Sequence, residues 1–362
     1  MVSPRLKPIS WSRLAGWEQD EHGEAFAAFR RSAFHAMEKP YKTGSLGLEE
    51  SAFREAYVEA RRTAGLSGNE AKRFFERHFQ PAYVTPEADK PRGFITGYYE
   101  PVIAASRTET STRRVPFLRR PDDLVKVSNA DRPADMDPYF AFARSRDGRL
   151  EPYPDRRMIE RGVLAGKGLE IAWVEDPVDA FFAHVQGCAR LKFSDGTETR
   201  ITYAAKNGFP FTGPGRVLAN LGEIPLRQVT MQSIRTWFRE YPERVREILW
   251  RNRSYIFFRE APVDDPALGP IAAAKVPLTP LRSLAVDKTL HTFSTPVFIT
   301  VPRFPGGTLN RLVVAQDTGS AIVGAARGDF FTGCGHAAGE LAGVIRHAAD
   351  FHVLVPKPLV TG

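Results

Sequence analysis

The chain has 362 residues, 43% of them hydrophobic and 25% charged, with 29 Gly and 28 Pro, which suits a globular, turn-rich protein of two domains rather than one. Its net charge of +8 favours an anionic partner, whether nucleic acid, a membrane surface or an acidic polymer. No apolar run approaches the length of a transmembrane helix, which excludes a helical membrane span.

The opening residues, Met1-Val-Ser-Pro-Arg-Leu-Lys7, carry neither an apolar signal core nor a lipobox cysteine. From about 20 to 80 the pattern is helical. Phe26, Phe29 and Phe34, then Phe53, Tyr57 and Ala60, recur at helical steps, and Asn69 is placed to cap a third helix carrying Phe74, Phe75 and Phe79. This aromatic stripe reads as core, and Pro81 and Pro86 end the helical region.

From about 92 to 230 short strands alternate with turns. Phe94-Ile-Thr-Gly-Tyr-Tyr99, Leu169 to Val174, Ala189 to Phe193 and Arg200 to Tyr203 lie among turn signals such as Ser194-Asp-Gly196 and Asn207-Gly208, and read as a small β-barrel. The basic run Arg107 to Arg120 contains a single aromatic, Phe117. It therefore lacks the interleaved stacking residues of a nucleic-acid platform and reads as a solvated loop, with no nucleic-acid partner. Between 231 and 251 the helical period returns as a helix pair, with Pro242 in the first turn of the second helix. Strands resume at Tyr255 and run to Val355.

The richest stretch is Leu312-Val-Val-Ala-Gln-Asp-Thr-Gly-Ser-Ala-Ile-Val-Gly324 with Arg327-Gly-Asp-Phe-Phe-Thr-Gly-Cys-Gly335. Val313-Val314 and Ile322-Val323 read as buried strands joined by tight turns, with Asp317 and Asp329 each at a strand end. Asp317-Thr-Gly-Ser-Ala looks like the catalytic loop of aspartic proteases, although Gln316 breaks the apolar strand expected before it and a second such loop is lacking, so a homodimer would be needed. A plainer reading has Asp317 capping a turn with its own side chain.

The C-terminal pattern, Asp317-x-Gly-x-Ala-Ile-x-Gly324 followed by Asp329-aromatic-x-x-Gly-x-Gly335, resembles the membrane-bound lytic murein transglycosylase A family. Six further segments match it in order: Phe94-Ile-Thr-Gly-Tyr-Tyr-Glu-Pro101, Ala183-His-Val-Gln-Gly187, Tyr203-Ala-Ala-Lys-Asn-Gly208, Met231 to Trp237, Asn252 to Phe258 and Val276 to Ser283. The resemblance implies a mainly β fold with α-helical additions, in which a double-psi β-barrel is interrupted by an inserted second β-barrel, with a groove between them. Carried onto this chain, residues 1–102 hold the N-terminal helices and the first part of the double-psi barrel. Residues 103–257 form the insert and 258–362 the rest of the first barrel.

The implied reaction is non-hydrolytic cleavage of the β-1,4 bond between N-acetylmuramic acid and N-acetylglucosamine in peptidoglycan, leaving a 1,6-anhydromuramic end. One carboxyl group serves as general acid and then base, without metal or other cofactor. Asp329 matches the family's catalytic aspartate, and Asp317 is the supporting one. An ordinary Asp would be protonated in roughly one molecule per thousand at pH 7. Asp329 must therefore be raised, and Phe330, Phe331 and the charge of Asp317 are placed to do so.

The spacing between the two aspartates is one residue longer than the family pattern, with Ala325-Ala326 the inserted site. Tyr98, Tyr99, Gln186, Lys206 and Asn207 offer ring faces, amides and a cation to a glycan strand. Cys188 and Cys334 fall where the family has small residues and are expected as buried fillers; with no Cys-x-x-Cys or His-x-x-x-His, no metal site is expected. The expected partners are peptidoglycan strands and a cell-wall synthesis or hydrolase complex. The expected location is the periplasm, with outer-membrane association through an anchor absent from this chain. Against this stand the homodimeric protease using Asp317, and a polysaccharide-binding protein without catalysis.

Overall fold

A computed structural model describes residues 2–360. In chain order, β1 (Leu6–Pro8), α1 (His22–Glu38), α2 (Arg54–Arg62), α3 (Gly68–His78), β2 (Phe79–Val84) and β3 (Gly93–Glu100) come first. Next are β4 (Val102–Ala105), β5 (Val115–Leu118), β6 (Leu124–Lys126), β7 (Phe142–Arg146), β8 (Arg149–Glu151), α4 (Arg156–Glu160), β9 (Glu170–Val174), α5 (Pro177–Gln186), β10 (Cys188–Phe193) and β11 (Glu198–Lys206). Then follow α6 (Pro214–Asn220), α7 (Met231–Glu240), α8 (Val245–Trp250) and β12 (Ile256–Ala261). The chain closes with β13 (Ser283–Val286), β14 (Pro296–Phe304), β15 (Gly307–Asp317), β16 (Arg327–Cys334), α9 (Gly335–Val344) and β17 (Arg346–Pro356).

Two compact units result, one made of the residues up to Tyr99 with those from Asp265 onward, the other of Glu100–Asp264. In the first, six strands close a barrel in the order β3, β17, β14, β15, β13, β16 and back to β3. Closure falls to β17: its first four residues pair with β3, from Arg346 opposite Thr96 to Ala349 opposite Gly93, while its C-terminal half turns to β2. The aromatic stripe packs on this barrel as core. Phe26, Phe29, Phe53, Tyr57, Phe74 and Phe75 are fully buried and touch one another edge-on or tilted, with Phe53 and Tyr57 stacked, geometry that suits ring quadrupoles.

Three local expectations differ. Phe34 is exposed, with the guanidinium groups of Arg30 and Arg61 4.8 and 5.2 Å from its ring centroid. Ser67 rather than Asn69 caps α3, in a reciprocal box with Glu70 that satisfies amides the first helical turn leaves open. The helix ends at His78, so Phe79 and Pro81 belong to β2.

The second unit also closes on itself. β12, β11, β10 and β4 form one sheet. The bridge Ser106–Trp173 joins the end of β4 to β9, β9 pairs with β5, and the bridge Arg119–Phe258 returns to β12. Arg190 and Arg200 face each other across the β10–β11 ladder and converge on Glu100, which is wholly buried. Strand β12 pairs along β11 as far as Ala261 opposite Arg200, so it stays with this unit. The division thus falls at 264/265 rather than after 257, and at 99/100 rather than 102/103. The basic run is not all loop, since Val115–Leu118 form β5 with Phe117 buried. Cys188 is buried but Cys334, at the start of α9, is partly exposed. Among the described residues no helix is long and apolar enough to cross a membrane.

Candidate active site

Strand β13 lies between β15, which runs parallel to it, and β16, which runs antiparallel. Ala285 on β13 is the register partner of Asp317 on one side and of Asp329 on the other. Opposed residues on neighbouring strands share a face, so both carboxylates project from one side of the barrel wall, two strand spacings or roughly 10 Å apart at their Cα atoms.

This placement depends on a bulge. Leu284 pairs with Ala315 and Ala285 with Asp317, which leaves Gln316 as an extra residue. A regular ladder would have put Gln316 opposite Ala285 and turned Asp317 to the other face. The extra residue is held by its own buried amide, which donates to the carbonyl of Ala28 (2.9 Å) and to Ser32 Oγ (2.8 Å) and accepts from Ser283 Oγ (2.6 Å).

Asp329 lies inside β16, two residues past its start, rather than at a strand end, while Asp317 is the last residue of β15. Between them, Ile322-Val323 is loop and not strand, with Val323 exposed. Thr96 Oγ1 donates to Asp329 Oδ1 at 2.5 Å, and Arg327 Nη2 donates to Thr96 Oγ1 at 2.8 Å. Asp317 Oδ2 accepts from the Tyr98 hydroxyl at 2.9 Å, and Oδ1 from the Ala273 amide at 3.3 Å. Arg346, Thr96, Asp329, Ala285 and Asp317 therefore form one row across five strands.

Burial pushes the Asp329 carboxyl above the usual carboxylate range, against the pull of the Arg327 cation and the Thr96 hydrogen bond. The residue keeps partial exposure, so its carboxyl is desolvated without being sealed off. Asp317 is also raised, chiefly by burial, and the charge of Asp329 adds to the rise. The field of Asp329 raises Asp317, whereas Asp329 itself is raised by burial. That reverses the expected direction of the coupling. Of the two phenylalanines, only Phe331 lies on the Asp329 side, 5.3 Å from the Tyr98 ring; Phe330 points into the barrel core.

The structure brings Asp317, Asp329 and Tyr98 together. Tyr99 faces the opposite way along β3 and packs on α9, where a β-carbon at Gly339 would come within 2.7 Å of its ring. Gln186, Lys206 and Asn207 lie in the second unit. Gln186 and Lys206 are partly exposed, and burial lowers the Lys206 ammonium. The Asn207 amide is consumed by the fold: it donates to the carbonyls of Pro154 and Arg253 at 3.0 and 2.9 Å and accepts from the Tyr255 amide at 2.9 Å. It is a buried clasp and not a hairpin turn. Sequence reasoning missed Thr96 and Arg327, which strand alternation from Tyr98 and Asp329 would have placed on the same face. Among the described residues no three His, Cys, Asp or Glu side chains gather as metal ligands.

Residues 94–259 match the MltA specific insert domain and residues 282–355 the 3D domain. The crystal structure of the membrane-bound lytic murein transglycosylase from Agrobacterium tumefaciens is 45% identical with a TM-score of 0.91, over 98% of this chain and 99% of that one. Membrane-bound lytic murein transglycosylase A of Escherichia coli (strain K12) is 32% identical over 275 residues, 73% of this chain and 66% of that protein's length. The chain belongs to the membrane-bound lytic murein transglycosylase A family. A crystal structure of Escherichia coli MltA with bound chitohexaose covers 97% of this chain and 94% of that one, at 26% identity and a TM-score of 0.70. Asp317-Thr-Gly-Ser-Ala is accordingly part of a 3D domain, and its likeness to an aspartic protease loop is local.

Proposed function

We propose that this protein is a peptidoglycan lytic transglycosylase that cleaves the β-1,4 bond between N-acetylmuramic acid and N-acetylglucosamine. The observation that carries the reading is Asp329, a partly exposed carboxyl raised by burial and held through one oxygen by Thr96. Family membership supplies the substrate class, and the bound chitohexaose of the Escherichia coli relative supports a glycan strand as ligand. Protonated Asp329 gives its proton to the departing glycosidic oxygen. As carboxylate it then takes the proton of the muramic C6 hydroxyl, which attacks the anomeric carbon and closes a 1,6-anhydro ring. Asp317, held by Tyr98 and two backbone amides, orders the neighbouring turn. The proposal assigns glycan contact to Tyr98, Gln186 and Lys206, and places the protein in the periplasm with outer-membrane association, a location consistent with relatives named as membrane-bound and acting on murein.

Mass spectrometry of digested peptidoglycan tests the reading. Muropeptides ending in 1,6-anhydro-N-acetylmuramic acid are expected. Reducing ends, about 18 Da heavier by one water, would mark a hydrolase with an activated water and overturn it.

A further inference from the structure

The field of Arg327 acts on the proposed acid, yet its guanidinium bonds Thr96. Its other hydrogen bond goes to the carbonyl of Gly328, and its plane lies 5.4 Å from the Phe94 ring centroid, so two contacts besides Thr96 fix its position. Burial works against the charge and the field of Asp329 supports it.

A guanidinium has no acceptor, so the Arg327–Thr96 bond fixes Thr96 Oγ1 as the acceptor there. The hydroxyl has one hydrogen, and it is spent on Asp329 Oδ1 at 2.5 Å. With Arg327 on one lone pair, Thr96 could accept from Oδ1 only through the other, turning its own hydrogen away from both Asp329 and Arg327, so a protonated Asp329 favours its hydrogen on Oδ2. We propose that Arg327 is a positioning residue that acts through Thr96 to hold the exchangeable proton of Asp329 on Oδ2, the oxygen left for the glycosidic bond. The inference rests on the acid–base role proposed for Asp329. It adds that the reactive oxygen is selected, and that the selector is two residues away on the same strand.

The charged groups facing Asp329 from neighbouring elements are Asp317 on β15, Arg346 opposite Thr96 on β17, and Asp287 just past β13, whose carboxylate is committed to Thr289 and Gly324. None of these touches Thr96 Oγ1 in the way Arg327 does. Replacing Arg327 by Met removes both the cation and the lock on Thr96, and both changes favour protonated Asp329.

The test is a double-mutant cycle on Arg327→Met and Thr96→Val, read as kcat, KM and the pH profile of kcat/KM on purified glycan strands, with thermal unfolding and glycan binding as controls of folding. Arg327→Met is expected to lower kcat roughly tenfold with little change in KM and to move the alkaline limb to higher pH, and Arg327→Lys, which keeps a donor and a charge, to restore most of both. Because Arg327 acts through Thr96, the double variant should be no worse than Thr96→Val alone. Fully additive losses, or a lowered kcat with an unmoved pH profile, would overturn the inference. Turnover surviving in Asp329→Asn would instead overturn the acid–base reading beneath it; with that variant dead, additivity sinks only the role of Arg327.

Discussion

At the scale of single residues, the two aspartates have similar surroundings and different partners. Asp329→Asn is expected to abolish turnover while glycan binding and folding persist, because the amide keeps the shape and the Thr96 contact but exchanges no proton. Asp317→Asn should cut activity less, since the Asn carbonyl oxygen can still accept from the Ala273 amide while its NH2 donates to the Tyr98 hydroxyl, which can turn to accept. Comparing kcat and thermal unfolding of the two variants checks this, and a dead Asp317→Asn beside an active Asp329→Asn would exchange their roles. The raised carboxyl also has a stability consequence. Folded protein holds the Asp329 proton to a higher pH than the unfolded chain does, so stability falls as pH climbs from the ordinary carboxylate range, roughly 4, through the raised value. Asp329→Asn should therefore have a higher Tm than the parent at pH 8 and gain little at pH 4; equal gains at both would contradict a desolvated carboxyl. Both aspartates were legible in the sequence because they sit in motif positions. Thr96 was not, because nothing in a linear string says that β3 and β16 are neighbours; Arg327 was within reach of strand alternation from Asp329 on β16 itself.

At the scale of elements, the bulge at Gln316 and the ion cluster at Glu100 carry the clearest expectations. Gln316→Leu leaves Ser283, Ser32 and the Ala28 carbonyl without their partner. It should cost about 2–3 kcal/mol in urea unfolding and lower activity besides, because the amide holds the extra residue that turns Asp317 to the Asp329 face. Glu100→Gln removes the buried charge on which Arg190 and Arg200 converge and should destabilise by about 3–5 kcal/mol, whereas Ser67→Ala, which removes only the α3 cap, should cost about 1 kcal/mol. A Glu100→Gln variant no weaker than Ser67→Ala would mean that water reaches the cluster. The sequence announced Gln316 only as an irregularity before Asp317, a polar residue where an apolar strand was expected. Its meaning lay in pairing register, which depends on a partner strand. Helices α1 to α3 and the pair α7 and α8 were legible because their apolar spacing is a local property. The misplaced cap at Asn69 and the misassigned Ile322-Val323 show the limit of that reading, since a short apolar pair does not say whether it has a ladder to join.

At the scale of the molecule, the fold is one barrel interrupted by another, and the interruption was readable only through the ordered run of family motifs, because β3 and β13 are separated by the whole second unit. The loop between the aspartates is held by carboxylates. Burial opposes their charge, yet hydrogen bonds from Thr289 and Gly324 keep Asp287 below the usual range, and those from Ala325 and its own amide, with Lys90 and Arg5, keep Glu87 below it. Both stabilise the fold above the ordinary carboxylate pKa and lose that effect as pH falls through their lowered values. The protection of the Gly324 and Ala325 amides, measured against the intrinsic exchange rate at each pH, should therefore fall on acidification while amides of the barrel strands keep theirs; a uniform change across both would count against local anchoring. A last consequence concerns tolerance to change in length. The facing of Asp317 and Asp329 is decided by their shared partner Ala285 and by the bulge, not by the chain that joins them. A residue added to that connector should therefore move neither acid, and the stretch around the exposed Val323 is where a peptide tag or a reporter could be spliced, whereas removing a single residue at Gln316 would disarm the site.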